Sequence, residues 1–328
     1  DAAGGGGTAQ GTDGTYDIQA AAEGTITGNA RGEGSVDLQS GSGVRTAATQ
    51  VASGDCSTIG GGQENTASGD FATIGGGCGN VASGTSTSAS SYYAATYPHT
   101  TVGGGCGNTA SNTYATVGGG KGNIASETYS TISGGSGNKA SGNYATVGGG
   151  VFNCACGHYS TIAGGQSNMA CARTSFIGSG KENRVCSTGG FVGSGYGNKV
   201  STSSGYSAIG GGFMNTAGAY YTSVSGGYGN CTSANYSTVS GGYKNTASGV
   251  ASSASGYCAT ASGACSFAWG AGSNVFCINS SGNAYADGGW CGAAADYAEM
   301  FPNQCSGTQL CNGRFVSLCQ GESVGHAC

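Results

Sequence analysis

Charge is scarce in this chain. Lys, Arg, Asp and Glu together make up 8% of 328 residues, and Pro occurs only twice. The net charge is −5 with no basic stripe, so nucleic acid is not an expected partner. The lack of Pro, with Gly not falling at every third position, excludes collagen. No run of about 18 apolar residues exists, so no membrane insertion is expected. Three His and no CxxC pair argue against zinc, and neither a metal nor a cofactor is expected. The opening at Asp1 and its glycines lacks the pattern of a signal peptide, which suggests a processed mature chain or one that never took the secretory route. What is abundant is Gly, at 70 residues, far above the usual share of about 7%. Cys is also frequent, at 16 residues, and points to an oxidising final environment.

The glycines are ordered by a repeat. Twelve times an Ile or Val is followed six residues later by an Asn, with Gly between, from Ile59 and Asn65 to Val239 and Asn245. Representative pairs are Val117 with Asn123, Val147 with Asn153, and Ile162 with Asn168. Nine of the eleven steps between these asparagines are 15 residues; one is 17 (Asn198 to Asn215) and one is 28 (Asn80 to Asn108). So short a period marks a β-solenoid in which each repeat is one coil. Disorder is not expected, because β-branched and aromatic residues recur on schedule.

Within a unit such as Tyr144-Ala145-Thr146-Val147, the alternation of side chains reads as a strand running from the aromatic to the Val. The same aromatic position holds Phe71, Tyr114, Tyr129, Tyr159, Tyr206, Tyr221 and Tyr236. The glycines then allow a turn at positive φ, and the Asn is expected there because it tolerates the left-handed conformation. A second short strand carries Ala two residues after the Asn, as at Ala140, Ala155 and Ala170. One coil is therefore two short strands and two turns. Stacking buries the Ile/Val column, and lateral packing of identical chains would cover the remaining apolar surface.

Four segments follow from this pattern. Residues 1–50 are Gly/Ala-rich and mostly irregular, with a short strand around Ser35-Val36-Asp37-Leu38-Gln39. Residues 51–248 form the roll, and the 28-residue step, close to two periods, reads as a coil that lost its consensus to a bulge or surface loop at Thr85 to Thr100. In residues 249–278 the spacing of Gly249, Gly256, Gly263 and Gly270 falls to seven, half a coil. Residues 279–328 carry a different pattern.

The Ile/Val-Gly-Gly-Gly-x-x-Asn-x-Ala unit resembles the head repeats of YadA-type trimeric autotransporter adhesins. That resemblance implies a left-handed parallel β-roll assembled as a homotrimer. The stretch from Asn279-Ser280-Ser281-Gly282 through Ala295-Asp296-Tyr297-Ala298-Glu299 to Gly313-Arg314-Phe315-Val316 resembles the start of the self-cleaving intramolecular chaperone of phage fibre proteins. By that resemblance the scissile bond is Ala295–Asp296, with Asp296 and Glu299 as the acting carboxylates. On their own, two carboxylates three residues apart fit either an acid/base pair or two solvated side chains.

Three further patterns bear on chemistry. Cys156, Cys171 and Cys186 stand three residues after the repeat Asn, spaced by 15, and would stack about 4.8 Å apart. A disulfide accepts Cα separations of about 4.4–6.8 Å, so a bonded pair and a column of free thiols both remain open. The Gly-Gly-Gly runs lack a following Lys-Ser/Thr and are turns, not phosphate cradles. Glycan hydrolysis needs a carboxylate pair, and the roll's acids (Asp55, Glu64, Asp70, Glu127, Glu182) are not expected to pair at coil spacing. The resulting expectation is an extracellular homotrimeric fibre or spike on a virion surface, with a host receptor or glycan as partner. A bacterial cell-surface adhesin is the alternative, and a polysaccharide-degrading spike the least favoured.

Overall fold

The computed structural model describes residues 52–84, 99–201 and 205–271, with Gly32 and residues 34–38 and 281–282. It also places the short strands Ala9–Gln10, Tyr16–Asp17, Asn274–Ile278, Ala284–Ala286, Ala298–Glu299 and Val316–Ser317. The chain divides into two units, Asp1–Gly197 and Asn198–Cys328. Among the described residues both are all-β, with no helix, and each contains a parallel β-solenoid whose coils are about 15 residues long.

In the first unit, one column of strands pairs in register from coil to coil. Thr116–Val117 pairs with Thr131–Ile132, then Thr146–Val147, then Thr161–Ile162. The side chains alternate as a pleat requires, with Val117, Ile132, Val147 and Ile162 fully buried and the threonines outward. A second column joins Ile124–Ala125, Lys139–Ala140, Cys154–Ala155 and Met169–Ala170, with each Ala inside. A third contact, missing from the two-strand expectation, is a run of single bridges at Lys121, Ser136, Val151, Gln166 and Lys181. Each coil thus touches its neighbour along three lines. Burying each Ile or Val contributes about 1.5–3 kcal/mol, while the opposing Ala keeps the coil narrow.

The 28-residue step is one coil, not two. Ile74 pairs directly with Val102, and Val81 with Thr109. The extra residues, including Tyr92, Tyr93, Tyr97 and Pro98, lie outside the described residues. The expected strand near residue 36 forms as Val36–Asp37, parallel to Thr58–Ile59.

The repeat asparagines do not occupy the left-handed turn. They are buried, and their side chains form a continuous ladder. The backbone N–H of Asn123 donates to Asn108 Oδ1 at 3.0 Å, that of Asn138 to Asn123 at 2.9 Å, and those of Asn153 and Asn168 to the preceding Asn at 3.0 Å. The amide Nδ2 of each of these asparagines in turn donates to two glycine carbonyls, and that of Asn183 to Ser179 O and Gly195 O. For Asn153 these are Gly149 O at 3.0 Å and Gly165 O, on the next coil, at 2.8 Å. Asn fits because it offers both an acceptor and two donors, and a buried polar group must have its partners. The ladder passes the insertion unchanged, since Asn108 N–H donates to Asn80 Oδ1 at 3.0 Å.

Of the three repeat glycines only the last is required. Gly150 has φ +92°, and a Cβ there would meet Gly165 O. The first glycine position holds Ser133 or Ala163 in other coils, whereas the third is Gly in every one. The left-handed residues are instead those just before the Asn (Phe152, Ser167, Glu182) and the corner aromatics.

In the second unit the same two columns run from Lys199–Val200 with Thr216–Ala217, and from Ala208–Ile209 with Ser223–Val224. The 17-residue step is again one coil, with residues 202–204 outside the described residues. Past Asn245 the coil shortens to 14 residues. Ser253 pairs with Phe267, Thr246 pairs with Thr260, and the ladder ends where Ala259 N–H donates to Asn245 Oδ1 at 2.8 Å. The parallel order then stops: Phe267–Ala271 pairs antiparallel with Asn274–Ile278.

Candidate functional surface: aromatic and thiol columns

The corner aromatics are not strand residues. Tyr114, Tyr129, Tyr144 and Tyr159 have φ of 56–58°, which turns each ring outward at the same corner of successive coils. Left-handed geometry costs a non-glycine about 1–2 kcal/mol. Stacking offsets much of this, at about 0.5–1.5 kcal/mol per pair. Ring centroids lie 4.8–4.9 Å apart through the four tyrosines, with interplanar angles of 4–12°. His99 and Phe71 continue the column on one side. On the other the guanidinium of Arg173 sits 5.7 Å from the Tyr159 centroid. The column breaks where the corner residue becomes Thr174 and then Gly189.

In the second unit, Tyr206, Tyr221 and Tyr236 stack in the same way, 5.4–5.7 Å apart. A further column at the bridge position joins Phe213, Tyr228, Tyr243 and Tyr257. Tyr144 and Tyr236 are 45% and 59% exposed, so these columns are surface features. Because each ring face is covered by the next ring, what faces outward is a row of ring edges.

The three columnar cysteines come together on the second strand's side. Cys171 and Cys186 bring their sulfurs to 3.2 Å without a bond, and Arg184 Nε donates to Cys186 Sγ at 2.9 Å. Cys156 lies on the coil before Cys171, and its thiol donates to Ala170 O at 3.6 Å. All three are half-buried. The sequence did not join Cys154 to this group. Its thiol hydrogen-bonds Cys156, and with help from Cys171 and Lys139 this brings Cys156 down to about 6 despite opposing desolvation. Burial and the Cys186 thiol push Cys171 up. The equivalent position holds Ser in most other coils, for example Ser126, Ser141 and Ser233.

Of the acids in the roll, Asp55 and Asp70 do fall at coil spacing, but the contact between them is from backbone to carboxylate. They stand 15 apart on successive coils, and the Asp55 N–H donates to Asp70 Oδ1 at 3.1 Å in an exposed position. Asn230, part of a glycosylation sequon, is fully buried in the asparagine ladder and cannot accept a glycan there. Among the described residues no group of three or more His, Cys, Asp or Glu is placed to hold a metal ion.

Ala295 and Asp296 lie outside the described residues, as do Cys305, Cys311, Cys319 and Cys328. Glu299 is described only as part of the strand Ala298–Glu299, which pairs antiparallel with Val316–Ser317. Compared with known proteins, the chain matches no family model and no curated sequence.

Proposed function

We propose that the chain is the head and shaft of a homotrimeric fibre or spike on a virion surface, presenting a surface for a host receptor or glycan. The observation that carries this is the in-register stacking of near-identical coils under exposed aromatic columns. In the first unit the coils are tied to their neighbours by three lines of backbone contact, which suits a structural fibre. Single narrow coils leave large apolar side chains at the surface, among them Ile124, Phe176, Phe191 and Phe213 at 36–40% exposure. Lateral packing of three chains covers such side chains. A glycan meeting the tyrosine columns would find ring edges and hydroxyls rather than free ring faces, and so would be held mainly by hydrogen bonds.

The 279–328 pattern favours a virion, with Asp296 and Glu299 cutting the chain before Asp296 once assembly is complete. Cleavage would make folding hard to reverse. The repeat motif alone favours the second reading, a bacterial cell-surface adhesin. Light scattering of the native protein tests the trimer, and a monomer at micromolar concentration refutes it. Mass spectrometry of the denatured, reduced protein tests the cut. A new N-terminus at Asp296, abolished by Glu299→Gln, supports the fibre reading, and uncut chain throughout refutes self-processing.

A further inference from the structure

Cys156, Cys171 and Cys186 are three consecutive departures from a column that is otherwise mostly Ser, and they fall on neighbouring coils of one unit. The three residues are half-buried, so the group is partly open to solvent. Cys171 is central, with one neighbouring thiol on either side, and its sulfur is already 3.2 Å from that of Cys186. Two cations border the group. Arg184 contacts Cys186 directly, and Lys139 favours the thiolate of Cys156.

We propose that these three cysteines form a thiol–disulfide exchange site that reacts with a low-molecular-weight disulfide and ends as a Cys171–Cys186 bond clipping two coils together. Cys156 reacts first, because its lowered pKa makes it the thiolate at neutral pH. Its sulfur attacks one sulfur of the external disulfide, forming a mixed disulfide and releasing one small thiolate, which takes up a proton. Cys171 then loses its proton to solvent and attacks the Cys156 sulfur, expelling the second half of the reagent as a thiol. Finally Cys186, having lost its own proton, attacks the Cys171 sulfur, and Cys156 departs as a thiolate. Departure from Cys156 is favoured because a low-pKa thiol is the better leaving group. Two protein thiols are oxidised and one external disulfide is reduced to two thiols, so electrons and protons balance. Closing the bond needs the two sulfurs to move from 3.2 Å to about 2.05 Å, a side-chain adjustment with no shift of the coils.

Trypsin followed by fragmentation of the linked peptides identifies the bond. Cleavage at Lys139, Arg173, Lys181, Arg184 and Lys199 puts Cys154, Cys156 and Cys171 in one peptide (140–173) and Cys186 in another (185–199), and fragment ions from breaks between Gly157 and Ala170 show whether Cys171, rather than Cys154 or Cys156, carries the link. The whole chain is incubated with oxidised glutathione at neutral pH, quenched with acid and an alkylating reagent, denatured and digested. The expected result is a linked pair of these two peptides within a single chain, with a transient glutathione adduct on Cys156. Cys171→Ser should leave Cys186 unlinked, and Cys156→Ser should slow formation of the linked pair by about tenfold. Each substitution restores the residue that other coils carry, so folding is not at risk, and a circular-dichroism spectrum like that of the parent chain checks this. The proposal is overturned by absence of the linked pair, by a covalent dimer in its place, or by an unchanged rate in Cys156→Ser.

Discussion

Replacing Asn153 by Ala probes the asparagine ladder directly. Asn153 is fully buried, and its side chain makes four contacts that Ala cannot, one of them a long 3.3 Å bond from Nδ2 to Asn138 Oδ1, which keeps the Asn153 N–H in the variant. Its Nδ2 donates to Gly149 O and Gly165 O, and its Oδ1 accepts from Asn168 N–H. Gly165 O keeps the N–H of Val151 at 2.9 Å. Gly149 O and the Asn168 N–H lose their contacts to this side chain. An unsatisfied buried group costs about 1–3 kcal/mol; the Asn168 N–H bears this in full and the half-buried Gly149 O only in part, so the loss should be about 2–4 kcal/mol. Asn143→Ala, at a half-exposed asparagine ten residues earlier, serves as the control and should change stability by no more than about 0.5 kcal/mol. Solenoids open coil by coil, so guanidinium unfolding should be paired with hydrogen exchange at Asn168 N–H, which should speed up sharply in the variant. A loss below about 1 kcal/mol, or unchanged exchange at Asn168, would refute the ladder as a main source of coil-to-coil stability. Asn153→Asp adds a pH test. A buried carboxylate facing two carbonyls has its pKa raised above the unfolded value of about 3.9. Its stability should therefore fall as pH rises from about 3.9 through the folded pKa and then level off.

Val147→Asp buries a charge among Ile132 and Ile162 and should cost at least about 4 kcal/mol, read as loss of cooperative unfolding and of assembled mass. Gly150→Ala should cost more than about 3 kcal/mol by thermal denaturation because its Cβ meets Gly165 O. Gly122→Asn, at a left-handed position with open space, should stay within about 1 kcal/mol. Ser160→Ala should stabilise by about 1 kcal/mol, since the buried hydroxyl has no partner and Ala145 fills the same position one coil earlier. Alkylation of Cys156, followed by peptide mapping against pH, should be half-maximal near pH 6, and a midpoint above pH 8 would contradict its contact with Cys154.

The sequence alone determined the coil. A 15-residue period with one β-branched residue, one Asn and one invariant Gly is enough to place the strands, because each buried position recurs where stacking demands it. It also identified the thiol column, since equal spacing in a solenoid means adjacency in space. What it could not settle were features set by contacts between coils. The Asn at Asn123 or Asn153 looks like a turn residue when one coil is considered; only the next coil supplies the carbonyl and N–H that make it a buried ladder. Tyr144 looks like a strand residue for the same reason; the corner of the coil is left-handed even at Thr174 and Ala251, and at Tyr144 the rings of Tyr129 and Tyr159 stack on either face. The 28-residue step was ambiguous by length, and the direct pairing of Ile74 with Val102 decided it. Spacing along the chain fixes what each coil is, and the tertiary structure decides what each side chain does, because its partners lie 15 residues away.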